Sequence, residues 1–116
     1  MVRGLLADIE NGLIRVATRG FSRVIILWLL SHGPLSGYGI IREMRRLIER
    51  DFTSGVVYPI LYDLESRGLI VGEWIRRGRR MIKYYSLTDE GSRVLKSIRD
   101  LFHGTAGAVL LDFMGR

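Results

Sequence analysis

Apolar residues recur at helical spacing through the first part of the chain. An early stripe has members three or four positions apart, as on one face of a helix. These residues are Leu6, Ile9, Leu13 and Val16. A run at 24–30 is apolar nearly all round, which predicts a central, buried helix over 21–31. We expect Arg19-Gly20 to separate the two helices and His32-Gly33-Pro34 to end the second.

Two amphipathic helices are predicted next, over 36–50 and 54–67, each with one apolar face toward the core. The inner residues are Ile40, Ile41, Met44, Leu47 and Ile48 in the first helix, and Val57, Ile60, Leu61 and Leu64 in the second. Ser54 is the expected N-cap of the latter helix. Pro59 lies beyond the first turn, so we expect that turn to be loosened or tightened. Gly68 predicts where the helix ends.

A hairpin and a fourth helix follow. Residues 70–76 and 81–87 are rich in β-branched and aromatic side chains and flank a glycine-containing turn at 77–80. Thr88 is the expected N-cap of the fourth helix, with two acidic residues in its first turn. The apolar stripe of this helix consists of Val94, Leu95, Ile98, Leu101 and Phe102. The glycines within 104–107 are expected to break the helix or to allow close packing.

The order helix, helix, helix, hairpin, helix predicts a mainly α fold with a small β-hairpin, in the α+β class. It is typical of a winged helix-turn-helix, in which the second and third helices form the helix-turn-helix and the hairpin forms the wing. We expect an N-terminal helical extension over 1–18 and the winged helix-turn-helix over 19–88. A C-terminal helix over 89–116 is expected to serve dimerisation, as is the extension.

Composition narrows the classes of partner. The 116 residues contain 18 Lys and Arg against 12 Asp and Glu, a net charge of +6, which favours a polyanionic partner. Cysteine is absent and there are two histidines, which excludes disulfides and argues against a metal site. The absence of cysteine fits a reducing compartment, and the apolar run at 24–30 is too short to cross a bilayer. We therefore expect a cytoplasmic protein with no membrane partner.

The densest positive charge lies in the predicted wing. Its cations are Arg76, Arg77, Arg79, Arg80 and Lys83. No acidic residue lies between the first and the last of them, so they repel one another unless an anionic partner neutralises them. Arginine also forks onto phosphate and enters narrow minor grooves. We expect these residues to contact DNA; the alternative is a solvated, charge-rich turn.

The third helix is the expected reading helix. If its apolar face is buried, Ser54, Val56, Tyr58 and Tyr62 face outward. Serine and tyrosine hydroxyls bond to phosphates or base edges, and valine contacts a thymine methyl. Either tyrosine is alternatively a half-buried core residue with its hydroxyl at the surface. The helix also carries two acidic residues, which we expect to lie away from a duplex.

Other chemistry is weakly represented. No nucleophile–base pair, phosphate loop or metal-ligand cluster is evident, so we expect no enzyme, no catalytic residue and no cofactor. Gly37 and Gly39 are expected to permit close helix packing. Trp28 and Trp74 are most simply core residues; alternatively, one lines a pocket for a flat ligand between subunits.

Three stretches together resemble the PadR-like transcriptional regulators: residues 29–40, 54–70 and 79–91. Their shared features are a Gly37-Tyr38 pair, a Tyr58-Pro59 pair and the pattern YYxLTxxG that begins at Tyr84. The resemblance implies a winged-helix homodimer on a palindromic operator, usually a repressor. It also implies that the helix with Tyr58 and Pro59 enters the major groove, that the wing contacts the flank, and that the C-terminal helix pairs with its twin. The chain departs from the family at Val56, where serine or threonine is usual.

Apolar stripes at both ends of the chain independently predict a dimer, because a chain of this size would leave them exposed. The expected interface residues are Leu6, Ile9, Leu13, Val94, Ile98, Leu101, Phe102, Leu110 and Phe113. A two-fold dimer would place its reading helices about 34 Å apart, one turn of DNA.

The sequence thus favours a repressor that binds double-stranded DNA with sequence specificity as a homodimer. Release by a small hydrophobic effector is left open. The alternatives are a sequence-indifferent architectural DNA-binding protein and a winged-helix module for protein contacts.

Overall fold

The computed structural model describes residues 2–48 and 53–115. Within them the chain forms five helices and three strands. In chain order these are α1 (Val2–Leu30), β1 (Leu35–Ser36), α2 (Gly37–Ile48), α3 (Ser54–Ser66), β2 (Ile70–Arg77), β3 (Arg80–Leu87), α4 (Asp89–His103) and α5 (Thr105–Met114). The strands form one antiparallel sheet in the order β1-β3-β2. The expected α+β winged helix-turn-helix is confirmed: α2 and α3 form the helix-turn-helix, and β2 and β3 form the wing.

The first helix is continuous over 29 residues, so the expected interruption at Arg19-Gly20 is wrong. A Cβ built at Gly20 would meet no atom within 4 Å, so this glycine lies on the helix surface and not at a turn. One glycine inside a helix costs only about 1 kcal/mol relative to alanine, too little to break a long cooperative helix. The helix runs through the boundary expected between 18 and 19; the division into 1–18, 19–88 and 89–116 stays a prediction.

One core joins the second half of α1, both helices of the helix-turn-helix, the base of the wing and α4. Its most deeply buried residues are Ile26, Leu27, Ile40, Met44, Val57, Leu61, Leu64 and Ile70. Those in α2 and α3 belong to the predicted apolar faces, and Ile26 and Leu27 belong to the apolar run that was predicted to be buried. Leu47 is an exception: it is 40% exposed because it lies at the edge of the α2 stripe. Residues 49 and 50, the expected end of that helix, lie outside the described residues.

Both tryptophans are exposed, which contradicts the expectation that they are core residues. Trp28 is 43% exposed, because two residues after Ile26 a helical side chain points to nearly the opposite side. Trp74 is 64% exposed, because it lies in the distal half of β2.

Helix ends follow the expected chemistry at α4 and differ at α3. Thr88 caps α4: its Oγ1 accepts a hydrogen bond from the Gly91 N–H at 3.0 Å and donates one to the Gly68 carbonyl at 2.6 Å. The N-cap of α3 is Thr53, not Ser54, because Ser54 is already helical. The Val56 N–H bonds to the Thr53 carbonyl three residues back, at 3.1 Å, so the turn before Pro59 contains a tightened bond.

The wing closes more tightly than expected. Arg77 pairs with Arg80, which leaves a two-residue loop of Gly78 and Arg79. Gly78 has a φ of +62°, the left-handed conformation that such loops need. The sequence did not predict β1, whose Leu35 and Ser36 pair with Tyr85 and Tyr84 of β3, because two residues show no periodicity.

The C-terminal segment forms two helices that meet at Gly104. Gly107 packs directly on the end of α4, since a Cβ there would lie 1.6 Å from the Phe102 carbonyl oxygen. The glycines at 104 and 107 therefore both break the helix and allow close packing. Among the described residues, no helix combines the length and apolar character that a membrane span requires.

Candidate nucleic-acid interface

The exposed face of α3 presents the side chains expected to read DNA. Tyr62 is 76% exposed and points fully outward, and Ser54, Val56 and Pro59 are also exposed. Tyr58 is 44% exposed and lies against the start of α2, since a Cβ at Gly37 would come within 2.5 Å of its hydroxyl oxygen. Tyr58 is therefore partly covered, with its hydroxyl against α2 and not at the surface as the alternative expected, whereas Tyr62 is not covered. Gly37 allows the close packing of α2 and α3 that the sequence predicted.

Asp63 at one edge of α3 is neutralised by arginine. It accepts hydrogen bonds from Arg67 Nε at 2.9 Å and from Arg23 Nε at 3.1 Å. These two bonds, first that of Arg67 and then that of Arg23, lower the pKa of the Asp63 carboxyl. Because Arg23 belongs to α1, the pair also connects α3 to the long N-terminal helix.

Glu65 at the other edge of α3 binds the wing. It accepts hydrogen bonds from the Gly72 N–H at 2.9 Å and from Lys83 Nζ at 3.1 Å. Partial burial raises the pKa of Glu65, but the bonds from Lys83 and Gly72 together outweigh it and lower the pKa. The hydrogen bond to Glu65 raises the pKa of Lys83. Both acidic side chains of α3 are thus paired at its edges.

Lys83 does not share the situation of the wing arginines. The sequence suggested five uncompensated cations, but Lys83 forms an ion pair with Glu65, 18 positions earlier. Its Nζ also lies 5.2 Å from the centre of the Tyr85 ring. Lys83 therefore fixes the wing against α3, and whether it also contacts DNA stays a prediction.

The four wing arginines are exposed, and none forms an ion pair with a carboxylate in the described part of the chain. They are Arg76, Arg77, Arg79 and Arg80. Residues that pair across the strands share a face, so Arg77 and Arg80 lie on one face of the wing and Arg76 on the other, with Arg79 in the loop. Positive charge thus surrounds the tip of the wing.

A sequence model of the PadR-like transcriptional regulators matches residues 26–97, from the buried half of α1 to the middle of α4. This chain belongs to the PadR-like family. A crystal structure of a PadR family transcriptional regulator from Eggerthella lenta DSM 2243 is similar over 96% of this chain and 93% of that one, with 30% identity and a TM-score of 0.67.

Two further relatives of this PadR-like chain are longer proteins. The crystal structure of Bacillus subtilis PadR in complex with operator DNA is similar over 66% of this chain and 45% of that chain, with 30% identity and a TM-score of 0.58. "Transcriptional regulator YqjI" of Escherichia coli (strain K12) is 31% identical over 83 residues, which are 70% of this chain and 39% of that protein. The PadR-like chain thus spans well under half the length of this curated relative.

Some residues that connect α3 to α1 and to the wing were not singled out by the sequence. Glu65 and Gly72 join α3 to the wing, and a Cβ at Gly72 would lie 2.2 Å from the Lys83 side chain. Arg23 reaches α3 from 40 positions away. One relation could have been predicted from the sequence. Alternate residues of a strand share a face, so Gly72, Trp74 and Arg76 of β2 lie on the same face of the wing.

Most residues expected at the dimer interface of the PadR-like fold lie at the surface. The exposed members are Leu6, Ile9, Leu13, Leu101, Phe102 and Phe113. Ile98 and Leu110 are partly buried, and Val94 packs on the core of its own chain. Val94 therefore contributes to the core of its own chain. Among the described residues, no group of three or more potential metal ligands occurs.

Proposed function

We propose that this PadR-like protein is a transcriptional repressor that binds a pseudo-palindromic DNA operator as a homodimer. The observation that carries the proposal is the pairing of two exposed surfaces on adjoining elements: the outer face of α3 and the arginine-rich tip of the wing. Bacillus subtilis PadR, a relative at 30% identity, has a crystal structure with operator DNA. Membership of the same family and the positive charge of the wing together support DNA binding by this chain.

In this proposal α3 enters the major groove and the wing follows the flanking backbone. The proposed contacts on α3 are Ser54, Val56, Tyr58, Pro59 and Tyr62, and those on the wing are Arg76, Arg77, Arg79, Arg80 and Lys83. Side chains in the major groove discriminate between base pairs, whereas arginines on phosphates give affinity without sequence preference. Pairing of Asp63 and Glu65 with basic residues reduces the repulsion that phosphates would otherwise meet at α3.

The homodimer follows from the apolar surface at the two ends of the chain. The first half of α1 and the surface of α5 expose large apolar side chains that a solvated monomer rarely leaves uncovered. A two-fold dimer built on these helices would present two α3 helices to successive major grooves, about 34 Å apart. An operator with two inverted half-sites would match that symmetry.

A small hydrophobic effector is proposed to release the operator. The groove that supports this step has a volume of about 360 Å³. It is lined by Ile14, Ala17, Thr18, Phe21, Ile25 and Ile48. Since its walls belong to α1 and α2, an apolar ligand there would contact both the proposed dimer helix and the helix-turn-helix. Screening apolar small molecules for operator release tests this step.

Enrichment of bound genomic fragments by the purified protein tests the main proposal. A specific repressor should enrich inverted repeats and bind random duplex more weakly, with a steep dependence on salt. Failure to enrich any motif would favour an architectural DNA-binding protein. Absence of binding to any duplex at low salt would favour a protein-interaction module.

Paired variants separate the two kinds of contact. Arg79→Ala with Arg80→Ala should flatten the salt dependence on operator and random duplex alike, because phosphate contacts are lost. Tyr62→Phe should instead weaken operator binding alone, since only the exposed hydroxyl is removed. Equal effects of the two changes on operator and random duplex would contradict this division of roles.

A further inference from the structure

Two large apolar side chains are exposed in the distal half of the wing. Trp74 is 64% exposed and Met81 is 56% exposed. Trp74 pairs across the strands with Lys83, and Met81 pairs with Arg76. Because directly paired residues share a face, Trp74 and Met81 are diagonal neighbours on one face of the hairpin. They form what we call the wing apolar patch.

The wing apolar patch lies on the face of the wing that α3 contacts. Gly72 and Lys83 occupy the same face, and Glu65 of α3 binds both of them. These bonds fix the base of the wing beside α3, while the patch lies farther along the hairpin toward the loop. A long ligand that covered the exposed face of α3 and extended along this side of the wing would also meet Trp74.

Arginines surround the wing apolar patch, so its binding partner must be negatively charged. Arg76 shares its face, Arg79 lies in the loop, and Arg77 and Arg80 extend from the opposite face. An occupant must offer several negative charges next to apolar edges. The minor groove of duplex DNA does so, because phosphates line it and the deoxyribose rings and partly unstacked bases accept apolar side chains.

We propose that Trp74 and Met81 pack into the minor groove that flanks each half-site, while the wing arginines hold its phosphates. This inference rests on the proposed DNA-binding function. It adds a contact whose strength depends on how easily the flanking base steps unstack. Apolar side chains that enter the minor groove unstack base steps, and pyrimidine–purine steps unstack most readily. The protein should therefore prefer such steps in the flank, at positions that α3 does not touch.

Tryptophan fluorescence tests the contact directly, because the chain has two tryptophans. Trp28→Phe leaves Trp74 as the reporter, and Trp74→Phe leaves Trp28. On saturation with a duplex that carries an enriched site and its flanks, Trp74 emission should change and become protected from acrylamide. Trp28 emission should not respond. An unchanged, fully quenchable Trp74 in the DNA-bound protein would overturn the inference.

Affinity measurements locate the contact on the DNA. The double variant Trp74→Ala, Met81→Ala should bind the flanked duplex about tenfold more weakly than the unmodified protein. On a duplex trimmed to the half-sites, the two proteins should bind equally. Ile75→Ala is the matched control, because Ile75 lies on the opposite face of the same strand and should have no effect on either duplex. Thermal melting checks that all variants are folded.

The outcomes separate this inference from the proposed function. If no duplex binds and neither tryptophan responds, the DNA-binding function itself fails and the inference fails with it. If operator binding persists but the double variant loses affinity equally for both duplexes, only the flank contact is wrong. Protection of Trp74 by an acidic protein but not by DNA would assign the wing apolar patch to a protein partner and overturn the inference.

Discussion

Gly91 shows how one residue can decide whether the wing and α4 fit together. A Cβ at Gly91 would lie 2.1 Å from the Leu69 carbonyl oxygen and 2.7 Å from the Leu87 side chain. The Leu69 oxygen cannot move aside easily, because it accepts the Thr88 N–H at 3.1 Å. We predict that Gly91→Ala lowers the free energy of unfolding by about 1–3 kcal/mol, as overpacking usually does, measured by urea denaturation.

Gly20→Ala is the matched control for that substitution. A Cβ at Gly20 would meet no atom within 4 Å, and the residue lies inside α1. Alanine should therefore raise the free energy of unfolding by about 0.5–1 kcal/mol, through helix propensity alone. A destabilising effect of Gly20→Ala would contradict the continuous helix.

The Glu65–Lys83 pair gives the wing a predictable dependence on pH. The lowered pKa of Glu65 means that its contribution is present above the ordinary carboxyl pKa and is lost as the pH falls through the lowered one. The raised pKa of Lys83 means that its contribution is lost only as the pH rises through that higher value. The pair should therefore stabilise the fold across neutral pH and fail in acid.

Glu65→Gln tests this dependence by thermal melting between neutral and acidic pH. At neutral pH the variant should be less stable by about 1 kcal/mol or less, since the ion pair is partly exposed. The difference from the unmodified protein should shrink as the pH falls below the carboxyl range. Glu73→Gln, which removes an exposed carboxylate of β2 that forms no ion pair within the described residues, should change stability little at either pH. A difference that grows in acid would contradict the pairing.

At the scale of the elements, the N-caps of α3 and α4 make a second matched pair. Thr88 Oγ1 binds both the first turn of α4 and the Gly68 carbonyl, whereas the Thr53 side chain forms no capping hydrogen bond. Thr88→Ala should cost about 1 kcal/mol of stability, and Thr53→Ala clearly less. Chemical denaturation of both variants measures the difference. Equal costs would show that capping by Thr88 is not what stabilises α4.

The elements that the sequence predicted are those with a local cause. The faces of α2 and α3, the wing and the Thr88 cap each follow from periodicity or turn chemistry within a few residues. The contacts that the sequence missed have causes that no local pattern contains. β1 exists because Leu35 and Ser36 meet β3 some 50 positions later along the chain. The ion pair of Lys83 with Glu65 and that of Arg23 with Asp63 arise only when α1, α3 and the wing come together.

At the scale of the whole molecule, α1 makes the chain long and asymmetric. The structure measures 55 × 37 × 24 Å, and a 29-residue helix is about 44 Å long. The second half of α1 supplies core residues, while the first half exposes leucine and isoleucine side chains. The sequence identified these exposed stripes because apolar residues at helical spacing are visible without a fold. It misplaced the tryptophans because residue type alone does not show which face the core takes.

The proposed dimer predicts how charge in these stripes should affect assembly and DNA binding. Leu13→Glu with Phe113→Glu places carboxylates on two exposed apolar positions at opposite ends of the chain. Desolvating unpaired charges is costly, so the variant should sediment as a folded monomer where the unmodified protein is a dimer. Operator affinity should then fall at least about a hundredfold, because the second half-site no longer binds as part of one molecule. Asn11→Glu, a charge on the opposite side of α1 from the stripe, should leave the dimer intact. If the double variant remained dimeric with full operator affinity, the interface would have to lie elsewhere on the molecule.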